Sequence, residues 1–258
     1  PAIHKPISGE AVFDEARNCL WTLTDQLIKI DLVSLTVQVY KSISFDREYS
    51  TFNPIALSPD GRLLLGNKLD KLRLYDPDSD QVTSFFPNQK EKYFRIYLKT
   101  LLPDGSDGFW VGTHDRGLYY FDWEGNLQHH FHTESQPALM SNHVTCLLPD
   151  SNTQDLWIGT LGGGLSRLNH DKASIETFNR NDGLSDNNVA SILQEGQNLW
   201  VGTYNGLSGF HKEEKSFRNF YKEHGLSHNE FNYSSALKTK DGKMYFGGLN
   251  GVNVFDPD

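Results

Sequence analysis

The chain has 258 residues, a formal charge of −9, aromatics at 12 % and only two cysteines and two methionines. That length suits one large domain, and the acidic balance leaves no basic stripe for a phosphate backbone, which argues against nucleic acid as a partner. No apolar run approaches the roughly 18 residues of a membrane span and no signal peptide opens at Pro1, so the chain reads as a mature or excised soluble piece.

In chain order, one pattern returns six times: LWTLTDQLIKID at 20–31, LLLGNKLDKLRLYD at 63–76, FWVGTHDRGLYYFD at 109–122, LWIGTLGGGLSRLN at 156–169, LWVGTYNGLSGFH at 199–211 and MYFGGLNGVNVFD at 244–256. The equivalent residues Trp21, Leu64, Trp110, Trp157, Trp200 and Tyr245 are 43, 46, 47, 43 and 45 positions apart. Apolar and polar residues alternate with period two, as in strands with one buried face. About four such runs per repeat is the spacing of propeller blades. The expected fold is all-β, a single β-propeller of four-stranded antiparallel blades near 6–45, 50–90, 95–135, 142–180, 187–222 and 229–258.

The fourth repeat shows the division. Strand Val144–Leu148 ends at Pro149-Asp150, Leu156–Thr160 leads through a glycine hairpin to Leu165–Asn169, and Ile175–Phe178 closes the unit. A phosphate cradle would need a helix after Gly164, and a strand follows instead. Turns Ser58-Pro59-Asp60-Gly61, Pro103-Asp104-Gly105 and Lys240-Asp241-Gly242 follow first strands, where Asp and Gly suit tight geometry. The last repeat stops after its third strand at Asp256-Pro257-Asp258. Either Ala2-Ile3-His4-Lys5 supplies the missing outer strand of a six-bladed ring, or the six repeats are part of a seven-bladed one.

Trp21, Trp110, Trp157 and Trp200 share one position in the second strand and are expected to wedge between blades. Burying such a ring removes on the order of 150–250 Å² from water, roughly 4–6 kcal/mol as an upper bound. Trp123 stands outside this register. Cys19 and Cys146 lie three repeats apart, beyond the roughly 7 Å a disulfide allows, so no internal bridge is expected.

A second element precedes three first strands: Leu139-Met140-Ser141-Asn142-His143-Val144, Gly183-Leu184-Ser185-Asp186-Asn187-Asn188-Val189 and Gly225-Leu226-Ser227-His228-Asn229-Glu230-Phe231. Asn tolerates left-handed backbone and bonds to nearby peptide groups, so it is expected to pin the crossover between blades. Propeller topology puts these crossovers on the same face as the second-to-third hairpins. A ligand would meet His114, Asp115, Arg116, His143, Asn188, Tyr204, Asn205, Glu230 and Asn250 there, with Lys68 and Asp70 in the second hairpin. Amides, an imidazole, a phenol and a guanidinium suit a neutral or lightly charged sugar.

Catalytic sets are thin. Asp115 and Glu230 are the nearest pair of carboxylates for a glycosidase, with no motif joining them. His130 and His132 share one side of an outer strand and read as surface residues, since zinc wants three or four ligands. No Gly-x-Ser-x-Gly elbow occurs, and Ser166 and Ser208 sit in packed strands. No catalytic residue, metal or cofactor is assigned. Lys212, Glu213, Glu214 and Lys215 read as a solvated rim.

The combination of LWIGT, GGGL, NDGLSDNNV and HNEFNYSSALKTKDGKMYFGGLNGVNVFDPD resembles the two-component regulator propeller repeats. The likeness covers the third to sixth repeats well and is weaker in the first, which has Thr22-Leu23-Thr24 for the Gly-Thr pair, and in the second, which has Leu64 for Trp. It implies a ligand-sensing module from the periplasmic region of a hybrid two-component histidine kinase, responding to oligosaccharides from polysaccharide breakdown. It further implies that the rest of the receptor chain is a partner, that the full receptor is a homodimer, and that the kinase lies elsewhere, so this chain is not itself an enzyme. A protein-protein scaffold and a propeller glycosidase or lyase are the alternatives.

Overall fold

The computed structural model describes residues 11–44, 53–66, 68–86, 92–93 and 95–257. The expected outer strand Ala2–Lys5 lies outside these. The fold is all-β, in six successive antiparallel sheets of propeller-blade type. The first holds β1 to β4 (Ala11–Asp14, Cys19–Leu23, Gln26–Asp31, Val37–Ser44), and the second β5 to β8 (Ile55–Leu57, Leu63–Leu65, Arg73–Asp76, Gln81–Ser84). The third holds β9 to β12 (Leu98–Asp104, Gly108–Thr113, Leu118–Phe121, Leu127–Phe131). The fourth holds β13 to β16 (Val144–Pro149, Leu156–Thr160, Gly164–Leu168, Ile175–Phe178), and the fifth β17 to β20 (Val189–Glu195, Asn198–Thr203, Gly206–His211, Ser216–Phe220). The sixth has only β21 to β23 (Phe231–Lys238, Met244–Gly248, Gly251–Phe255) among the described residues.

The chain divides into two compact units, one running to His114 and including 119–129, the other comprising 115–118 and 130 onward. In the first unit, one core joins Trp21, Leu23 and Leu27 to Ile55, Leu63 and Tyr75, and another joins Leu64, Leu74 and Phe86 to Phe109 and Phe121. The hairpin between β6 and β7 differs from the other repeats in carrying a 3₁₀ turn at Leu69–Lys71. That turn buries Asp70, so Asp70 is not a solvated loop tip. Trp123 packs on Phe109 at 5.1 Å between ring centres, and its Nε1 donates to the Gly105 carbonyl (3.2 Å).

In the second unit, Trp157 and Phe178 pack with Val201 and Phe210 of the next sheet, and Ala190 and Leu207 pack with Phe231 and Phe246. Every residue of β14 is buried, because this second strand is covered on both faces. Gly159 is required there: a Cβ would lie 2.4 Å from Cys146 Sγ and 2.7 Å from Val189. Gly164 opens β15 at φ +83°, with the Phe178 carbonyl 2.3 Å from where a side chain would start, which explains the glycine cluster as a bend. Ser166 and Ser208 are fully buried in strands. Cys19 and Cys146 form no disulfide, as expected.

The wedge positions are not equivalent. Trp21 and Trp157 are buried, and each indole donates to an aspartate seven residues back: Asp14 at 3.2 Å and Asp150 at 2.8 Å. Trp110 is buried against Tyr120. Trp200 departs from expectation, since it is only half-buried, against Phe220 and Phe255, and its Nε1 has no hydrogen-bond partner.

The rim reading of Lys212 is overturned. Its ammonium is buried beside Asp150, at 3.0 and 2.9 Å from the two carboxylate oxygens, and the carboxylate is 1 % exposed. Lys215 also reaches a partner, Glu176. Burial pushes the Asp150 carboxyl up, but bonds from Lys212, Trp157 and the Asn152 amide together bring it down to about 2. A carboxyl lowered on folding stabilises the native state above its unfolded pKa of 3.8. That contribution is lost as pH falls towards 2. Lys212→Ala leaves a buried carboxylate unpaired and is expected to cost about 3–5 kcal/mol in urea unfolding at neutral pH, with the deficit shrinking as the pH is lowered through this window.

Candidate functional site

The hairpins and crossovers of the second unit are tied together by a repeated set of backbone bonds. The Asn142 carbonyl accepts from the Gly117 amide of the preceding hairpin (2.8 Å), the Asn187 carbonyl from Gly162 and Gly164 (3.1 and 2.9 Å), and the Asn229 carbonyl from Gly206 (2.7 Å). Each Asn side chain reaches back as well, its Oδ1 accepting from the amide of Thr133 (2.9 Å), Arg180 (2.8 Å) or Lys222 (2.6 Å). The expected pinning role of these asparagines is therefore seen, and it works in two directions. The next residue in each motif accepts from its own blade's hairpin: His143 O from Leu161, Asn188 O from Tyr204 and Glu230 O from Leu249 (2.9, 3.0 and 3.1 Å).

With the backbone held in this way, the neighbouring side chains project from a common set of loops. Arg116 and Asp115 are exposed and ion-paired at 3.9 Å, and the Arg116 carbonyl is held by His130 Nε2 at 2.7 Å. That contact gives His130 a structural task. His130 and His132 are half-buried rather than surface residues, with ring centres 4.7 Å apart. Asn205 is exposed and its Oδ1 accepts from Asn229 Nδ2 (3.3 Å). Asn250 is exposed, and its Nδ2 lies 3.5 Å from the Ser227 carbonyl. His143, Asn188 and Glu230 are half-buried, and the Glu230 amide donates to His228 Nδ1 at 3.0 Å.

Tyr204 turns inward and donates its hydroxyl to that of Tyr233 on β21, with the rings 5.6 Å apart. Burial raises the Tyr233 phenol far above its ordinary range, and the Tyr204 bond and the charges of Tyr204, Cys146 and Glu230 add to this. Tyr233 is the member of this cluster that the repeat pattern hides, because β21 shifts register between Phe231 and Ala236. His114 belongs to the first unit, where its amide donates to the Tyr97 carbonyl (2.9 Å). Among the described residues, no group of three or more His, Cys, Asp or Glu stands close enough to hold a metal ion. These loops thus carry polar, amide-rich side chains and one half-buried phenol pair, Tyr204 and Tyr233.

Two stretches, 138–162 and 183–205, match the two component regulator propeller family. They contain the Asn142 and Asn187 ties together with LWIGT and LWVGT. Within these two stretches the chain carries two-component regulator propeller repeats. It is similar to histidine kinase P4 of Formosa agariphila, at 29 % identity over 72 % of this chain, and spans 17 % of that relative's length. Among solved structures it is similar to the extracellular domain of a hybrid two-component system from B. thetaiotaomicron, with TM-score 0.58 and 20 % identity over all of this chain and 40 % of that one. It is also similar to the extracellular domain of a one-component system from the same organism, with TM-score 0.53 and 15 % identity over all of this chain and 43 % of that one. These two likenesses show the fold.

Asn187→Ala removes the acceptor for the Arg180 amide and is expected to lower stability by about 1 kcal/mol in urea unfolding. Asn250→Ala, at an exposed loop tip, should stay within about 0.5 kcal/mol.

Proposed function

We propose that this chain is the ligand-sensing propeller region of a hybrid two-component sensor kinase, lying on the periplasmic side of the membrane, and that its ligand is an oligosaccharide from polysaccharide breakdown. The observation that carries this reading is the face built by the asparagine ties. Backbone bonds hold its loops in place, while its other side chains are an Arg, a His, amides and a carboxylate, with the Tyr204 ring turned inward and half-buried. Sugar recognition asks for that combination, since hydroxyls need paired donors and acceptors and the sugar's apolar face needs a ring. The family repeats and the likeness to a histidine kinase support a sensing role. On this reading the chain binds without catalysing, and the rest of the receptor, as a homodimer, carries the signal.

Arg116→Ala combined with Tyr204→Ala is expected to weaken binding of the recognised oligosaccharide at least about tenfold by calorimetry, equivalent to about 1.4 kcal/mol. Undiminished affinity would remove this face from consideration. New reducing ends released from the same oligosaccharides would favour the glycosidase reading instead.

A further inference from the structure

The crossovers and hairpins of the second unit share one backbone pattern and differ in their side chains. The residue after each tying Asn accepts an amide of its own blade's hairpin, which pairs His143 with Leu161, Asn188 with Tyr204 and Glu230 with Leu249. In these positions Glu230 is the one carboxylate and Tyr204 the one phenol. The two are brought together by the next repeat's tie. The Gly206 amide, two residues after Tyr204, donates to the Asn229 carbonyl (2.7 Å), and Asn229 Nδ2 donates to Asn205 Oδ1 (3.3 Å). The Tyr204 hairpin therefore lies against the chain at Asn229-Glu230.

A second phenol comes from the irregularity in β21. Between the pairs Phe231–Gly248 and Ala236–Phe246, four residues of β21 stand against one of β22. The same step in β13 and β17 inserts a single residue, Thr145 or Ala190. Within the wider bulge Ser234 takes the left-handed conformation, at φ +50°. Bulges re-aim side chains, and backbone held in sparsely populated regions concentrates at functional sites. Here the re-aimed side chain is Tyr233, which accepts the Tyr204 hydroxyl, with the rings 5.6 Å apart and tilted by 53°. Both rings are half-buried, so part of each remains open. Burial, then the Tyr204 bond and nearby charges including Glu230, hold the Tyr233 phenol protonated. The half-buried Glu230 carboxylate has no ion pair and no hydrogen bond among the described residues, and Arg116 already faces Asp115 at 3.9 Å.

We propose that Glu230, Tyr233 and Tyr204 form a cation subsite that takes an ammonium group of the ligand, so that the oligosaccharide met by these loops is built from amino sugars. This rests on the oligosaccharide reading for the rest of the ligand and adds its charge. An ammonium supplies the counter-ion that Glu230 lacks within the protein, through a charge-assisted hydrogen bond. The electron-rich faces of phenol rings attract the same cation. A uronate or sulfated sugar would instead bring like charge to Glu230. The net charge of −9 favours approach of a cationic ligand over an anionic one. One repeat earlier, the equivalent crossover residue is Asn188, which offers an amide and no charge.

The test is calorimetry on the full chain at about pH 6, where amines are protonated and carboxylates ionised, with the glucosamine trimer, the N-acetylglucosamine trimer and the galacturonate trimer as probes. The glucosamine trimer is expected to bind at least about tenfold tighter than its N-acetylated counterpart, with the galacturonate trimer weakest. Glu230→Gln should abolish that preference and leave the N-acetylated trimer within about twofold, whereas Asn188→Asp should widen it. Tyr233→Leu, with its folding checked by urea unfolding, should weaken glucosamine binding at least about threefold. Added salt should shrink the preference. Equal affinity for the amino and N-acetylated trimers, no binding of the glucosamine trimer, or a preference that survives Glu230→Gln would each overturn the ammonium subsite. Binding of the neutral or the acidic trimer in those cases would leave the oligosaccharide reading standing.

Discussion

The second unit depends on one kind of residue used in two directions, through its side chain and through its backbone. Asn142, Asn187 and Asn229 each accept an amide of the loop they follow through Oδ1, and an amide of the preceding hairpin through their backbone carbonyl. A single residue thereby fixes an outgoing loop, a crossover and a neighbouring hairpin. Serine or threonine has too short a reach, and aspartate would add charge at each joint. The hydrophobic wedges supply bulk stabilisation but are non-directional, so these bonds define where the loop tips stand.

Burial between sheets also has a polar component. Asp150 gathers Lys212 from the next sheet, the Trp157 indole, the Asn152 amide and Gln194 Nε2. In the first unit Asp14 gathers Trp21 and Arg17, and Arg17 reaches on to Asp78. Such groups stabilise little compared with an apolar core of the same volume, yet misalignment of either partner is costly. Among the described residues these two clusters differ in their members, so the sheets are alike in outline and distinct in their contacts.

Most of the architecture was legible in the residues. Period-two runs, the Asp-Gly turns and the 43 to 47 residue spacing located the strands, and β13 to β16 fall within one residue of where the pattern puts them. Lys212 was not legible, because its partner lies 62 positions away and a Lys-Glu-Glu-Lys run looks solvated without it. Trp200 shares its motif with Trp157, and its half-exposure reflects what packs on it rather than its own strand. In the candidate site, the sequence placed Tyr204 and Asn205 on a hairpin and Asn188 and Glu230 on crossovers. It could not show that Tyr204 turns away to meet Tyr233, since that depends on an irregularity in β21.

The asparagine joints link a repeat only to the one beside it. A polymer cross-linked in this way behaves as a one-dimensional chain of coupled units, whose free energy is a sum of single-unit and adjacent-pair contributions. The sequence span of each joint stays within about half a repeat, so ordering can start at any well-formed sheet and spread along the chain without waiting for distant segments to meet. A lesion in one joint then loosens two sheets and leaves the more distant ones intact.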